Sequence, residues 1–169
     1  GQDSAGVLER LAGEPLPGVE CVFLLCNHEL MMLRFLQDGS DAVIWLSNGG
    51  AATLASYGAS TKYCALPTML DPKRIEALRS DIAARLPKRH LDFLMSLSAS
   101  YRSGDYVFAH AGIRPGIPFG QQDPEDLVWI RGEFLLSEED HGCVVVHGHT
   151  PTRSWRPERY ANRIACDSG

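Results

Sequence analysis

Three short apolar runs in this chain each stop on a polar cluster that contains histidine, and this pattern restricts the folds open to it. Residues 21–25 run into Asn27-His28-Glu29, residues 106–109 into His110-Ala111-Gly112, and residues 143–146 into His147-Gly148-His149. A continuous apolar run of strand length, with no polar alternation, predicts a strand buried on both faces. Parallel strands bring their carboxyl ends to one edge of a sheet, and ligands of open α/β folds collect outside that edge. The clusters hold four of the six histidines. Singly, each has a plain structural use: Asn27 as a helix cap, Glu29 as a partner of the helix dipole, His110 as a turn residue, His147 and His149 as exposed turn residues. Three clusters at the ends of three apolar runs favour a shared site instead. Imidazole nitrogens beside an amide or carboxylate oxygen suit Zn, Mn or Fe.

The rest of the chain reads as helices around these strands. Ser4 is expected to cap a short helix that reaches about Ala12, with Val7, Leu8 and Leu11 on one face and Gly13 beyond its end. Pro15 and Pro17 then break the chain. Asn27 stands where a helix N-cap would, with Glu29 in the first turn and Leu30, Leu33, Phe35 and Leu36 following. Residues 42–46 fit either a short strand or a helix, and residues 51–57 a helix ended by Gly58. Asp71-Pro72 reads as a cap with proline at the first helical position. The helix it opens carries Ile75, Leu78, Ile82 and Leu86 on one face and closes at Pro87. A further helix is expected over residues 88–97, and a last strand over 164–166.

Sixteen Lys and Arg against 21 Asp and Glu leave a net charge of −5, which argues against nucleic acid as a partner. The longest apolar run, residues 21–26, falls far short of the roughly eighteen residues of a membrane-spanning helix, so no membrane partner is expected. Between Gln121 and His141 lie seven acidic residues and a single cation, Arg131, whereas the segment from Thr150 to Arg163 carries Arg153, Arg156, Arg159 and Arg163. Both stretches read mainly as solvated surface. Arg131, alone among acidic and apolar neighbours, is the exception. The five cysteines (21, 26, 64, 143 and 166) contain no CxxC. Three of them lie in strand-like apolar runs, which suits reduced, buried thiols of a cytoplasmic protein better than a disulfide framework, and a cysteine zinc site is not expected.

Leu24-Leu25-Cys26-Asn27-His28-Glu29 resembles the GNHE motif of the phosphoprotein-phosphatase branch of the calcineurin-like metallophosphoesterases. Phe108-Ala109-His110-Ala111-Gly112 resembles its HAG motif, and Val146-His147-Gly148-His149-Thr150-Pro151 its GHTP motif. Asn48-Gly49-Gly50, Thr53-Leu54, Tyr57-Gly58 and Trp129-Ile130-Arg131 resemble stretches of bacterial members, in the same order. The resemblance spans nearly the whole chain. It implies an α/β fold with a central β-sandwich and flanking helices, present here in part. It also implies metal-dependent hydrolysis of phosphomonoesters, chiefly phosphoserine or phosphothreonine of a phosphoprotein substrate. Two divalent metal ions would serve as cofactors, Mn first and Fe or Zn as alternatives. Asn27, His110 and His149 match three ligands of one metal, His28 the histidine that protonates the leaving alkoxide, and Arg131 a phosphate-clamping arginine. His147 matches no ligand, and a structural or supporting part is expected of it rather than direct ligation.

Two departures from the family pattern matter. The GDxHG and GDxxDRG motifs, which would supply the other metal's ligands and the bridging carboxylate, do not occur in these residues. The chain is therefore expected to be a partial catalytic domain, cut at the N-terminus and near residues 162–169, and inactive by itself. Cys26 also stands where the family has glycine. Two other functions remain open: hydrolysis of diadenosine tetraphosphate or related dinucleoside polyphosphates, and an inactive phosphatase-like binding module.

Overall fold

The computed structural model describes residues 1–13, 16–65 and 70–169. Pro15, one of the two prolines expected to break the chain, lies outside them. The chain is mixed α/β and divides into two compact units, Gly1–Cys21 with His28–Ser96, and Val22–Asn27 with Leu97–Gly169.

The first unit is helical among the described residues. Helix α1 (Ser4–Leu11) is capped by Asp3, whose carboxylate accepts the Gly6 amide at 3.0 Å. The cap is one residue earlier than expected, because the Ser4 hydroxyl is engaged with Thr53 Oγ1 at 3.0 Å. Helix α2 (Asn27–Asp38) carries Glu29 in its first turn and buries Met31, Met32 and Phe35. The ambiguous segment after it is helical: α3 (Ala42–Trp45), a π turn over Leu46–Gly50, and α4 (Ala51–Ser56), closed by Gly58 at φ 68°. Phe35 and Trp45 pack with ring centroids 4.7 Å apart. Helix α5 (Pro72–Arg85) buries Leu78 and Ile82, two of the four residues expected on its inner face. Its Arg79 reaches the Gln37 carbonyl at 2.6 Å, placing a cation at the negative end of α2. Helix α6 (Lys88–Met95) stops two residues short of the expected end.

Buried His90 on α6 contacts the Tyr57 hydroxyl through Nδ1 at 2.8 Å and Glu9 through Nε2 at 3.0 Å, which ties α6 to α1 and to the end of α4. Burial and the nearby Glu9 carboxylate push the Tyr57 hydroxyl up to about 12, so it stays protonated as a donor. The cap of α5 is as expected from sequence: the Asp71 side chain accepts the Arg74 amide at 2.9 Å. Asp71→Ala is expected to cost about 1 kcal/mol in urea unfolding. An unchanged midpoint would show that the cap contributes nothing.

The second unit is built on one mixed sheet in the order β1-β2-β3-β5-β4. Strands β1 (Ser100–Ser103) and β2 (Tyr106–Ala109) form a hairpin across Gly104-Asp105, with Gly104 at the positive φ such turns need. Strand β3 (Val144–His147) is parallel to β2, and β5 (Arg163–Ala165) is parallel to β3. Strand β4 (Glu158–Arg159) completes the sheet antiparallel to β5. The two edge strands, β1 and β4, escaped the sequence reading because they are short, polar and mostly exposed. Helices α7 (Pro124–Trp129) and α8 (Gly132–Leu135) follow β2 in the chain. Leu127, Ile130 and Phe134 bury their side chains with Val107, Ala109 and Val145 of the sheet.

Several expectations are corrected. Residues 21–25 do not form a strand buried on both faces. Only Leu24 bridges, to Ser98, with Val22 exposed and the others partly exposed. Apolar composition alone does not supply the neighbours that would cover both faces, and among the described residues the backbone of this run pairs only at Phe23 and Leu25, both with Ser98. The cysteines are free thiols, but only Cys64 is buried, and Cys166 is exposed. Arg163 is not solvated surface: its guanidinium donates to the Leu135 and Ser137 carbonyls and lies 3.9 Å from the Tyr160 ring centroid. Among the described residues no helix is long and apolar enough to cross a membrane.

Candidate functional site

Because β2 and β3 are parallel, with Phe108 opposite Val146, the residues that leave their carboxyl ends emerge at one edge. His110 follows β2 directly, and Gly148-His149 follow β3. The Gly148 amide donates to the His110 carbonyl at 2.8 Å, which extends the ladder past both strands and joins the two histidine segments. Asn27 reaches the same point from outside the sheet. Its side chain is buried and is not spent on capping α2; Oδ1 accepts from His110 Nε2 at 2.8 Å. His110 Nε2 also lies 3.1 Å from Nδ1 of His149. Three potential donor atoms thus come together from segments 83 and 39 residues apart in sequence, His110 Nε2 offering its lone pair only when it carries no proton.

This donor set fits a metal ion. Ligands at right angles around an ion about 2.1 Å away lie about 3.0 Å from one another, and tetrahedral ligands about 3.4 Å. The contacts of 2.8 and 3.1 Å match the first spacing. One amide oxygen and two imidazole nitrogens suit Mn, Fe or Zn. No group of three His, Cys, Asp or Glu side chains able to hold an ion occurs among the described residues. The convergence here includes an amide, so it is two histidines and an asparagine.

His149 is held in an unusual backbone state. Its φ is 65°, and the Thr150 amide donates across it to the Gly148 carbonyl at 2.7 Å. That is a γ-turn of the positive-φ type, which is rare and strained. A side chain held in such a conformation must be fixed by its surroundings. The Trp129 ring meets the His149 ring edge-on, with centroids 5.8 Å apart. His147, expected either in an exposed turn or in a supporting role, is buried, and that burial pushes its imidazole below the usual histidine range.

Arg131 is tied to this edge through Thr150, whose Oγ1 accepts from its guanidinium at 2.9 Å. The acidic residues near it in sequence are used elsewhere. Asp126 takes Arg114 in a two-pronged pair at 2.6 Å, and Glu133 pairs with the same guanidinium. These carboxylates hold the Arg114 pKa above its ordinary value. Arg131 is left facing an open cleft of about 270 Å³ lined with Trp129, Arg114 and Glu133, with no carboxylate paired to it among the described residues. Sequence reading passed over Arg114 because its partners lie 12 and 19 residues away.

The position of Arg131 depends on Gly112. Gly112 has φ 141°, and a Cβ there would lie 2.2 Å from the Phe134 ring. The glycine therefore lets Phe134 pack against the backbone after His110, and Phe134 anchors α8, whose N-cap is Arg131. Cys26, where the motif it resembles has glycine, needs no left-handed backbone: among the described residues, positive φ outside glycine is confined to Asp41, His149 and Trp155. Its thiol points back to the Leu24 carbonyl at 3.8 Å.

His28 is the one expected site residue that the second unit does not contain. It follows Asn27 directly on α2, is exposed, and belongs to the first unit. No family model, curated protein or solved structure matches the chain.

Proposed function

We propose that the protein containing this chain is a metal-dependent phosphatase of the calcineurin-like metallophosphoesterase type, acting on phosphoserine or phosphothreonine. The observation that carries this reading is the convergence of Asn27 Oδ1, His110 Nε2 and His149 Nδ1 from three separate segments. The proposal extends to the fold: the five-stranded sheet would be one layer of a β-sandwich, and the Leu24–Ser98 bridge the beginning of the other. A cytoplasmic setting goes with this reading, and the free thiols suit it.

Each residue has a definite task in this reading. Asn27, His110 and His149 would hold one ion of a dinuclear Mn, Fe or Zn centre. Bound metal supplies charge neutralisation of the phosphoryl oxygens and a nucleophilic water at neutral pH. Arg131, oriented by Thr150, offers a planar fork to two phosphoryl oxygens. His28 is the proton donor to the leaving alkoxide. The second ion requires donors that these residues do not include, so the chain alone is expected to be inactive.

The test is Mn²⁺-dependent hydrolysis of phosphopeptides by the natural protein that contains these residues. Arg131→Ala is expected to lower kcat/KM by about 10²-fold or more, the cost of removing one preorganised donor to a developing oxyanion. Faster turnover of diadenosine tetraphosphate than of phosphopeptide would move the assignment to dinucleoside polyphosphate hydrolysis. No turnover of either would leave a phosphatase-like binding module.

A further inference from the structure

The strained turn at His149 depends on one carbonyl, that of Gly148. The Thr150 amide donates to it at 2.7 Å, and Nδ1 of His147 approaches the same oxygen at 3.2 Å. His147 is 3% exposed, and its ring meets the edge of Phe134 at a centroid distance of 5.0 Å. Its Nε2 is buried with no hydrogen-bond partner among the described residues. These contacts choose between the two imidazole tautomers. With the proton on Nε2, a buried donor would go unused and the Nδ1 lone pair would face the carbonyl lone pairs. With the proton on Nδ1, the ring donates to Gly148, and the Nε2 lone pair is the one group left bare.

We propose that His147 is a positioning residue: as its Nδ1–H tautomer it anchors the Gly148 carbonyl and so maintains the γ-turn that presents Nδ1 of His149 to Asn27 and His110. The turn has two backbone supports, Gly148 to His110 and Thr150 to Gly148, and His147 is the side-chain support. A residue with a Cβ at φ 65° persists only where such supports overdetermine it. The consequence for metal affinity rests on the metal-centre reading; the tautomer and the turn do not.

The experiment uses the full chain labelled with ¹⁵N at the imidazoles, and long-range ¹H–¹⁵N spectra assign each tautomer. His147 is expected with Nδ1 protonated; a proton on Nε2 overturns the proposal. Two variants separate anchoring from packing. His147→Asn keeps an N–H near the Nδ1 position, and His147→Leu keeps apolar bulk without a donor. Titration with Mn²⁺, followed by the EPR signal of the free ion, is expected to show affinity about tenfold weaker or worse for His147→Leu and within about threefold of wild type for His147→Asn. Exchange of the Thr150 amide should quicken in His147→Leu and not in His147→Asn. Equal affinity and equal Thr150 protection in folded wild type and His147→Leu would overturn the proposal. Should wild type fail to bind Mn²⁺, the metal-centre reading falls, while the tautomer and the Thr150 exchange still decide the role of His147. Should His147→Leu fail to fold, the wild-type tautomer decides it.

Discussion

Gly112→Ala is expected to be the most damaging single-methyl substitution in the sheet unit. The new Cβ would sit 2.2 Å from Cδ1 and 2.5 Å from Cε1 of Phe134. Phe134 is fully buried and has His147 at its edge, so its ring has little room to retreat. The backbone cannot relax cheaply either, since φ 141° at Gly112 is a conformation that residues with a Cβ rarely adopt. Overpacking and backbone strain each cost about 1–3 kcal/mol, so a loss of about 3 kcal/mol or more is expected in urea unfolding. Gly148→Ala is the control. Its Cβ would meet nothing nearer than 3.7 Å, and Gly148 has no positive φ. Similar losses at the two positions would show that glycine propensity in general, and not the Phe134 contact, explains Gly112.

In the proposed metal-centre reading, His110→Ala is expected to abolish metal binding. Nε2 of His110 contacts both other donors, 2.8 Å from Asn27 Oδ1 and 3.1 Å from His149 Nδ1, so its loss removes the donor that both of them touch. Outer partners of metal ligands alone are worth about 10–100-fold in affinity, so a direct donor should be worth more than about 100-fold. Without metal, the variant should also lose about 1–3 kcal/mol, because the buried Asn27 amide loses that hydrogen-bond partner. The measurement is Tm with and without excess Mn²⁺. A ligand that binds the native state raises Tm, so wild type should shift upward and His110→Ala should not. An upward shift of equal size in both would remove His110 from the metal centre.

The two predictions concern one stretch of chain, His110-Ala111-Gly112, and separate two uses of it. His110 faces the donors at the sheet edge, and Gly112 accepts Phe134 from the other side. Through Phe134 the glycine also fixes the start of α8 and therefore Arg131. This explains in physical terms why a small residue belongs two places after the histidine.

Local rules located much of this protein. The Asp71-Pro72 cap, the helix after it, the strand over Tyr106–Ala109 and the exit of His110 and His149 from strand ends are all set by short-range chemistry. Such features depend on residues within one turn or one strand of each other. The apolar run at 21–25 misled, since burial on both faces needs packed neighbours, and composition says nothing about neighbours. The edge strands β1 and β4 were illegible for the converse reason: they carry little apolar signal and exist because β2 and β5 offer them backbone partners.

By itself the sequence singled out the candidate side chains: one amide, two imidazoles and a solitary arginine, in an order that resembles a metallophosphatase. Tertiary structure decided what those side chains face. Only the fold brings Asn27 within 2.8 Å of His110, gives the acidic neighbours of Arg131 to Arg114, and buries His147 against Phe134 beneath a strained turn. Residue type and local propensity are written along the chain. Donor convergence and charge pairing arise between segments tens of residues apart, and only packing sets those distances.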